Sequence, residues 1–292
     1  MSAIGTARQP IGRLEPGRNW RRLVFGLGLV VALLFVAPLI WTVVTSVKPP
    51  SEASQAPPSG LPSRIDWGNY ETLTTYGEGI VTYLLNSVVV ASITIVGTLL
   101  IGTLAGYGFS RFNFPLKNTA FIVILATLMI PFQSIVIPLF VVLKQLGLVN
   151  SLLGVGLVYI TFQLPFSTFV MRNAFDRVPR EIDETAIVDG ASQLRLLRSV
   201  MLPLVLPGLV TIGLFAFLAA WNEFFAALIL LTDQKSFTLP ILLLSARQGV
   251  WNNLDWGALQ AGVTITMIPC LVFYVLLQRY YVSGLSAGAV KG

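Results

Sequence analysis

A chain of 292 residues that is 55% hydrophobic and 11% charged, with a mean hydropathy of +0.78, is too apolar for a soluble domain. Its net charge is +6. It contains no His, which excludes His-based acid–base catalysis, His metal ligands and the usual nucleophile triads; one Cys excludes an intrachain disulfide and a Cys-rich metal site.

Apolar runs of about 20 residues, each enough to cross about 30 Å of hydrocarbon as a helix, recur about six times. They cover 23–45, 84–108, 119–143, 152–171, 203–231 and 258–282. Transmembrane strands would alternate strictly, and Val88 to Val96 does not, so an all-α integral membrane protein is expected. The first run is too long for the apolar core of a cleavable signal, and no small-residue cleavage site follows it. Between Lys48 and Trp67, prolines and serines predict an extended linker. In the second run, Gly102-Thr-Leu-Ala-Gly106 has the small-xxx-small spacing that lets helix backbones approach. Pro131 and Pro138 are expected to bend the third span, Pro165 the fourth, Pro207 the fifth and Pro269 the sixth. Cys270 reads as a small hydrophobe in the last run.

Orientation follows from the basic residues. The N-terminal segment carries Arg8, Arg13, Arg18, Arg21 and Arg22. The second and fourth connections add Arg111, Lys117, Arg172, Arg177, Arg180, Arg195 and Arg198, and the C-terminal end adds Arg279 and Lys291. Only Lys48, Arg64, Lys144, Lys235 and Arg247 fall on the opposite side. The positive-inside rule therefore puts both termini of this multi-pass chain in the cytoplasm, and the asymmetry accounts for the net charge without a nucleic-acid partner.

The fourth connection, 172–202, is a charged insert in an otherwise oily chain. After Val178-Pro179, the negative charges of Glu181, Asp183 and Glu184 suit the positive end of a helix dipole, so a short helix should start here. Ile182, Ala186 and, less cleanly, Ile187 would share a face, and Gly190 allows a sharp turn. A second amphipathic stretch should place Leu194, Leu197 and Met201 on one side before Leu202-Pro203 leads back into the membrane. From physics alone two readings stand: an interfacial hairpin that only anchors the bundle, and a docking surface for a soluble partner.

Asn222 and Glu223 sit near the middle of the fifth run, where an ionised carboxylate costs at least roughly 2.5 to 3.5 kcal/mol. They should face the bundle interior or water. Either they line a path whose hydrogen bonds suit sugar hydroxyls, with Trp221 or Phe224 offering a ring face, or Glu223 is tied to a neighbouring helix. Gln133, Asn86 and Gln163 are weaker candidates of the same kind. On the outer side, Arg247, Trp251, Asn252 and Trp256 form an aromatic and polar mixture suited to carbohydrate contact; interfacial anchoring of the tryptophans is the alternative.

Glu184-x-Ala186-x-x-Asp189-Gly190-Ala191, followed by Leu202-Pro203-Leu-Val-Leu-Pro207, resembles the EAA motif of permease subunits of bacterial ABC importers. Lys48-Pro49-Pro50, Asn86-Ser87, Ala105-Gly-Tyr107, Ser110-Arg111-Phe112 and Trp221-Asn222-Glu223 resemble its carbohydrate, maltose-transporter-like branch. So does the tail from Gly284 to Gly292. Thr185 departs from the motif, whose name has Ala at that position. The resemblance implies a type I importer permease fold with a cytoplasmic N-terminal segment (1–22), a permease domain (23–283) and a cytoplasmic tail (284–292) that reaches between the ATPase subunits. The insert would be a coupling helix, with Glu184, Ala186, Asp189, Gly190 and Arg198 meeting the ATPase. A bacterial cytoplasmic membrane, a second permease chain forming a heterodimer, two ATPase subunits and an extracytoplasmic solute-binding protein would complete the assembly. By the same resemblance, the 247–256 loop would enter the binding protein's cleft. No Gly-Lys pair exists for a Walker A loop, so this chain is not expected to be an enzyme or to hold a cofactor; ATP and Mg would sit on the partner subunits. The alternative is an ion-coupled secondary transporter using Glu223, for which no inverted repeat is evident.

Overall fold

The computed structural model describes residues 18–55, 60–248 and 256–289, and among them no strand occurs. Among the described residues, four helices are long and apolar enough to cross a membrane: α1 (Arg18–Ser46), α4 (Ile80–Arg111), α7 (Leu152–Asp176) and α14 (Trp256–Ala289). Short α2 (Pro50–Ala53) and α3 (Gly68–Thr75) fill the first connection, where an extended linker is expected. Asn69 of α3 donates to the carbonyls of Ser46 and Lys48, which closes the end of α1. Pro165 and Pro269 lie inside helices that continue through them. The last helix runs on to Ala289, past the expected end of the sixth span.

The third and fifth runs are not single helices. The third divides into α5 (Lys117–Ala126), a 3₁₀ turn and α6 (Phe132–Gln145), bent by 105°. Ile130 is extended (φ −80°, ψ 120°), the conformation a following proline imposes, and Pro131 opens α6; Pro138 sits within α6 and does not break it.

Ahead of the fifth run, the charged insert forms α8 (Arg180–Val188), α9 (Gln193–Arg195) and a π-helical turn at Leu196–Met201, and the chain enters the run through α10 (Leu202–Leu204). It then turns by 80° into α11 (Leu206–Asn222). The break falls at Val205 (φ −96°, ψ 12°), just before Pro207, whose ring and missing N–H prevent the helix from continuing through it. A second break, at Glu223 and Phe224, separates α11 from α12 (Phe225–Leu230), and α13 (Leu239–Gln248) precedes α14. With each bent pair counted as one span, the described chain has up to six.

The bundle is organised around α4 against α7, with α11 alongside both. Glycine makes that approach possible. A Cβ at Gly106 would lie 2.8 Å from the Arg172 backbone nitrogen, and one at Gly102 would lie 2.8 Å from Ser167 Cβ, so the small-xxx-small segment is a packing seam. Two buried clusters result. One centres on Tyr83, Trp221 and Leu239; the other joins Tyr107, Met171, Phe175 and Ile212 to Leu196, Leu197 and Met201 of the charged insert. In contrast, α1 packs chiefly on α14 and buries none of its apolar window inside this chain.

Candidate functional site

The insert is a two-helix device whose geometry follows from local rules. Pro179 precedes α8, and Glu181 and Asp183 occupy the first turn. At the other end, Gly190 adopts φ +78°, its N–H bonds to the Ile187 carbonyl at 2.9 Å, and the Ala191 N–H reaches the Ala186 carbonyl at 2.9 Å. This pair of bonds is a Schellman stop, which needs the left-handed backbone that glycine adopts without steric cost. The Thr185 hydroxyl donates to the Glu181 carbonyl at 2.7 Å, so the departure from the motif adds no unsatisfied group.

The faces of this device differ in part from the sequence expectation. Ile182, Asp183 and Ala186 turn inward, and the half-buried Ala186 packs on the cluster of Tyr107, Met171 and Phe175. Glu184 and Asp189 are exposed, as are the apolar Ile187 (51%) and Val188 (86%). In the second stretch Leu196 takes the buried position expected of Leu194, which is 73% exposed. The π-helical turn widens the spacing, so Leu196 and Met201, five residues apart, point into the core together. Arg198 is exposed.

Side chains bolt this device to the bundle. Asp183 Oδ2 lies 2.6 Å from Arg111 Nε at the end of α4, and the two side chains are only 14% and 8% exposed. Arg111 Nη2 also donates to the Val178 carbonyl at 2.9 Å. Beside it, Ser110 Oγ donates to Asp176 Oδ1 at 2.5 Å, Arg172 Nε stands 3.6 Å from Asp176 Oδ2, and the Arg172 guanidinium lies over the Phe121 ring at 4.0 Å. Sequence reasoning assigned Asp183 to the helix dipole and missed this pairing. The available signal was its spacing, three residues before Ala186, which puts it on the inward face.

The half of the bundle away from the insert brings other candidates together. Asn222, exposed, borders a cavity of about 350 Å³ with Thr266 and Cys270 of α14. A neighbouring cavity of about 600 Å³, sharing Leu243 and Val263, is bordered by Phe224, Arg247, Trp256 and Gln260. Gln260 was missed because a single amide in a long apolar run carries no periodic signal. Trp251 and Asn252 lie outside the described residues.

Other candidates have structural partners. Trp221 is 2% exposed, stacks on Phe217 and donates Nε1–H to the Thr266 carbonyl at 3.0 Å, so it offers no free ring face. The Glu223 carboxylate accepts from Tyr159 at 2.5 Å and from the backbone N–H groups of Phe225 (2.7 Å) and Ala226 (3.1 Å), closing the start of α12. Asn86 donates to the carbonyls of Lys235 and Phe237, and Gln163 to that of Phe215. Gln133 is exposed on the first turn of α6.

Residues 98–286 match the family described as the binding-protein-dependent transport system inner membrane component. The chain belongs to that family. It is a membrane permease component of an ABC importer, which is a transport subunit and leaves no support for the ion-coupled alternative. The chain is 33% identical to the diacetylchitobiose uptake system permease protein DasC of Streptomyces coelicolor, over 94% of this chain and 98% of that protein. It is 34% identical to the trehalose/maltose transport system permease protein MalG of Thermococcus litoralis, over 93% and 98% respectively. Its fold matches a chain of a bacterial ABC transporter that imports the acidic polysaccharide alginate, with a TM-score of 0.75 at 22% identity, covering 91% of this chain and 99% of that one. A chain of the MetNI methionine ABC transporter matches less extensively, with a TM-score of 0.55 at 17% identity over 72% and 95%.

Proposed function

We infer that this permease carries a sugar or related polyol inward across a bacterial cytoplasmic membrane and is driven by ATPase subunits that dock on α8. The observation that carries this reading is the Schellman-stopped α8, which holds Glu184 and the exposed apolar Ile187 and Val188 on one rigid, outward turn. Apolar side chains that protrude from a polar loop are suited to fill a partner's cleft, with Glu184, Asp189 and Arg198 as a charged rim. Both termini lie on the same cytoplasmic side in this reading, and the C-terminal segment reaches between the two ATPase subunits. Those subunits hold ATP and Mg.

The relatives' sugar uptake supports a carbohydrate cargo, as do the two adjoining outer cavities. Asn222, Arg247 and Gln260 supply hydrogen-bonding groups there, while Phe224 and Trp256 supply ring faces. A second permease chain completes the path as a heterodimer, and an extracytoplasmic binding protein delivers the solute to the Arg247–Trp256 side.

Val188→Asp and Glu184→Lys test the docking reading. Each is expected to reduce co-purification of the ATPase subunits and sugar uptake while leaving the chain in the membrane. Unchanged co-purification together with unchanged uptake in both variants would refute it. Uptake assayed with a panel of oligosaccharides and polyols then defines the cargo.

A further inference from the structure

A docking helix transmits force only through the contacts that fix it to the bundle. The covalent contacts of α8 are the short link from α7 through Arg177–Pro179 and the turn at Gly190. Helix α4 is not connected to α8 in sequence, yet its last residue reaches two points of it. Arg111 donates to the Val178 carbonyl just before the helix and stands against Asp183 within the first turn. We propose that Arg111 and Asp183 form the joint that carries the displacement of α8 into α4, so that α4 and α7 receive the stroke as one body. This deepens the reading of α8 as the docking element and rests on it.

Three observations support the joint. Arg111 meets this segment at two separate atoms, Nη2 on the Val178 carbonyl and Nε beside Asp183 Oδ2, so one rigid guanidinium holds both the start of α8 and its first turn; a lysine would supply only a point charge. The pair is nearly removed from water, where an ion pair resists separation and where loss of either partner leaves an uncompensated charge. The adjoining Ser110–Asp176 bond ties the ends of α4 and α7 at the same level, and the glycine seam continues that tie into the membrane. Two neighbouring cations have partners of their own. Arg172 faces Asp176, and Lys117 Nζ donates to the Phe112 carbonyl at 2.8 Å. Arg111 and Asp183 are therefore positioning residues for the stroke; neither faces the candidate solute cavities.

The test uses the complete importer in proteoliposomes and reads sugar transported per ATP hydrolysed. Asp183→Asn and Arg111→Lys should retain ATPase subunits and ATP hydrolysis while transport per ATP falls about tenfold. A second arm replaces both residues by cysteine in a Cys270→Ala background. Transport per ATP should be low in the reduced form and should recover when a short thiol cross-linker bridges the positions. An unchanged ratio in Asp183→Asn overturns the joint, as does a cross-linked form no better than the reduced one. If Asp183→Asn fails to assemble, the cross-linking arm decides alone. The docking reading fails separately, through the Glu184 and Val188 variants; the joint fails when those behave as expected and the ratio does not move.

Discussion

Two glycines in one turn of α4 should respond to the same substitution in opposite ways. At Gly106 an added methyl would stand 2.8 Å from the backbone nitrogen of Arg172, well inside the roughly 3.5 Å at which non-bonded atoms rest, and backbone cannot swing aside like a side-chain tip. That places Gly106→Ala at the upper end of overpacking costs, about 3 kcal/mol. The helix preference of alanine over glycine returns up to about 1 kcal/mol, so a net loss of about 2 kcal/mol is expected. At Gly108 a Cβ meets nothing within 4 Å, and Gly108→Ala keeps only the gain. The assay is the midpoint of heat-induced loss of monodisperse protein in detergent. It should fall by roughly 4 to 8 °C for Gly106→Ala and hold or rise slightly for Gly108→Ala. Equal midpoints for the two variants, or a Gly108→Ala midpoint as low as that of Gly106→Ala, would show that the α4–α7 seam does not have this geometry.

The Schellman stop separates two changes at one residue. Gly190→Ala finds open space and pays only for φ +78°, about 1 to 2 kcal/mol, so ATPase co-purification should persist in part. Gly190→Pro cannot adopt that φ and also loses the N–H bonded to Ile187, so co-purification or transport per ATP should collapse; normal values of both would contradict the proposed role of the turn. Glu223→Gln keeps the shape of the side chain but leaves a single carbonyl oxygen where two carboxylate oxygens serve Tyr159, Phe225 and Ala226. A loss of about 2 kcal/mol should appear as a lower thermal midpoint, and an unaltered midpoint would argue that the carboxylate does not hold the α11–α12 break. Joint replacement of Arg247 and Trp256 by Ala should lower binding-protein-stimulated ATP hydrolysis while basal hydrolysis stays constant; equal loss of both would locate their role within the bundle.

Much of this is legible in the sequence. Composition and run length dictate a helical membrane chain, because an exposed backbone cannot be satisfied in hydrocarbon by anything but helices or closed barrels. Gly102 and Gly106 announced a close helix contact by spacing alone. Pro179 and Gly190 bracket α8 because their effects are intrinsic to the residue: one ring, one missing side chain. The EAA resemblance added the functional class.

Other features depend on neighbours far along the chain, which no local pattern encodes. Pro131 and Pro207 predict bends, yet whether a proline kinks a helix or divides it depends on what receives the freed groups; Pro165 and Pro269 lie in helices that stay continuous. The break at Glu223 contains no proline, and its closure requires Tyr159 from another helix. A π-helical turn moved Leu196 into the place expected for Leu194. Asp183 in sequence is one of several acids at a helix start. Only the fold sets Arg111 against it, out of water, where an unpaired charge would be costly. Residue chemistry thus determined the medium, the helices and the ends of α8, while tertiary contact decided which polar groups hold the bundle and which stay exposed or border a cavity.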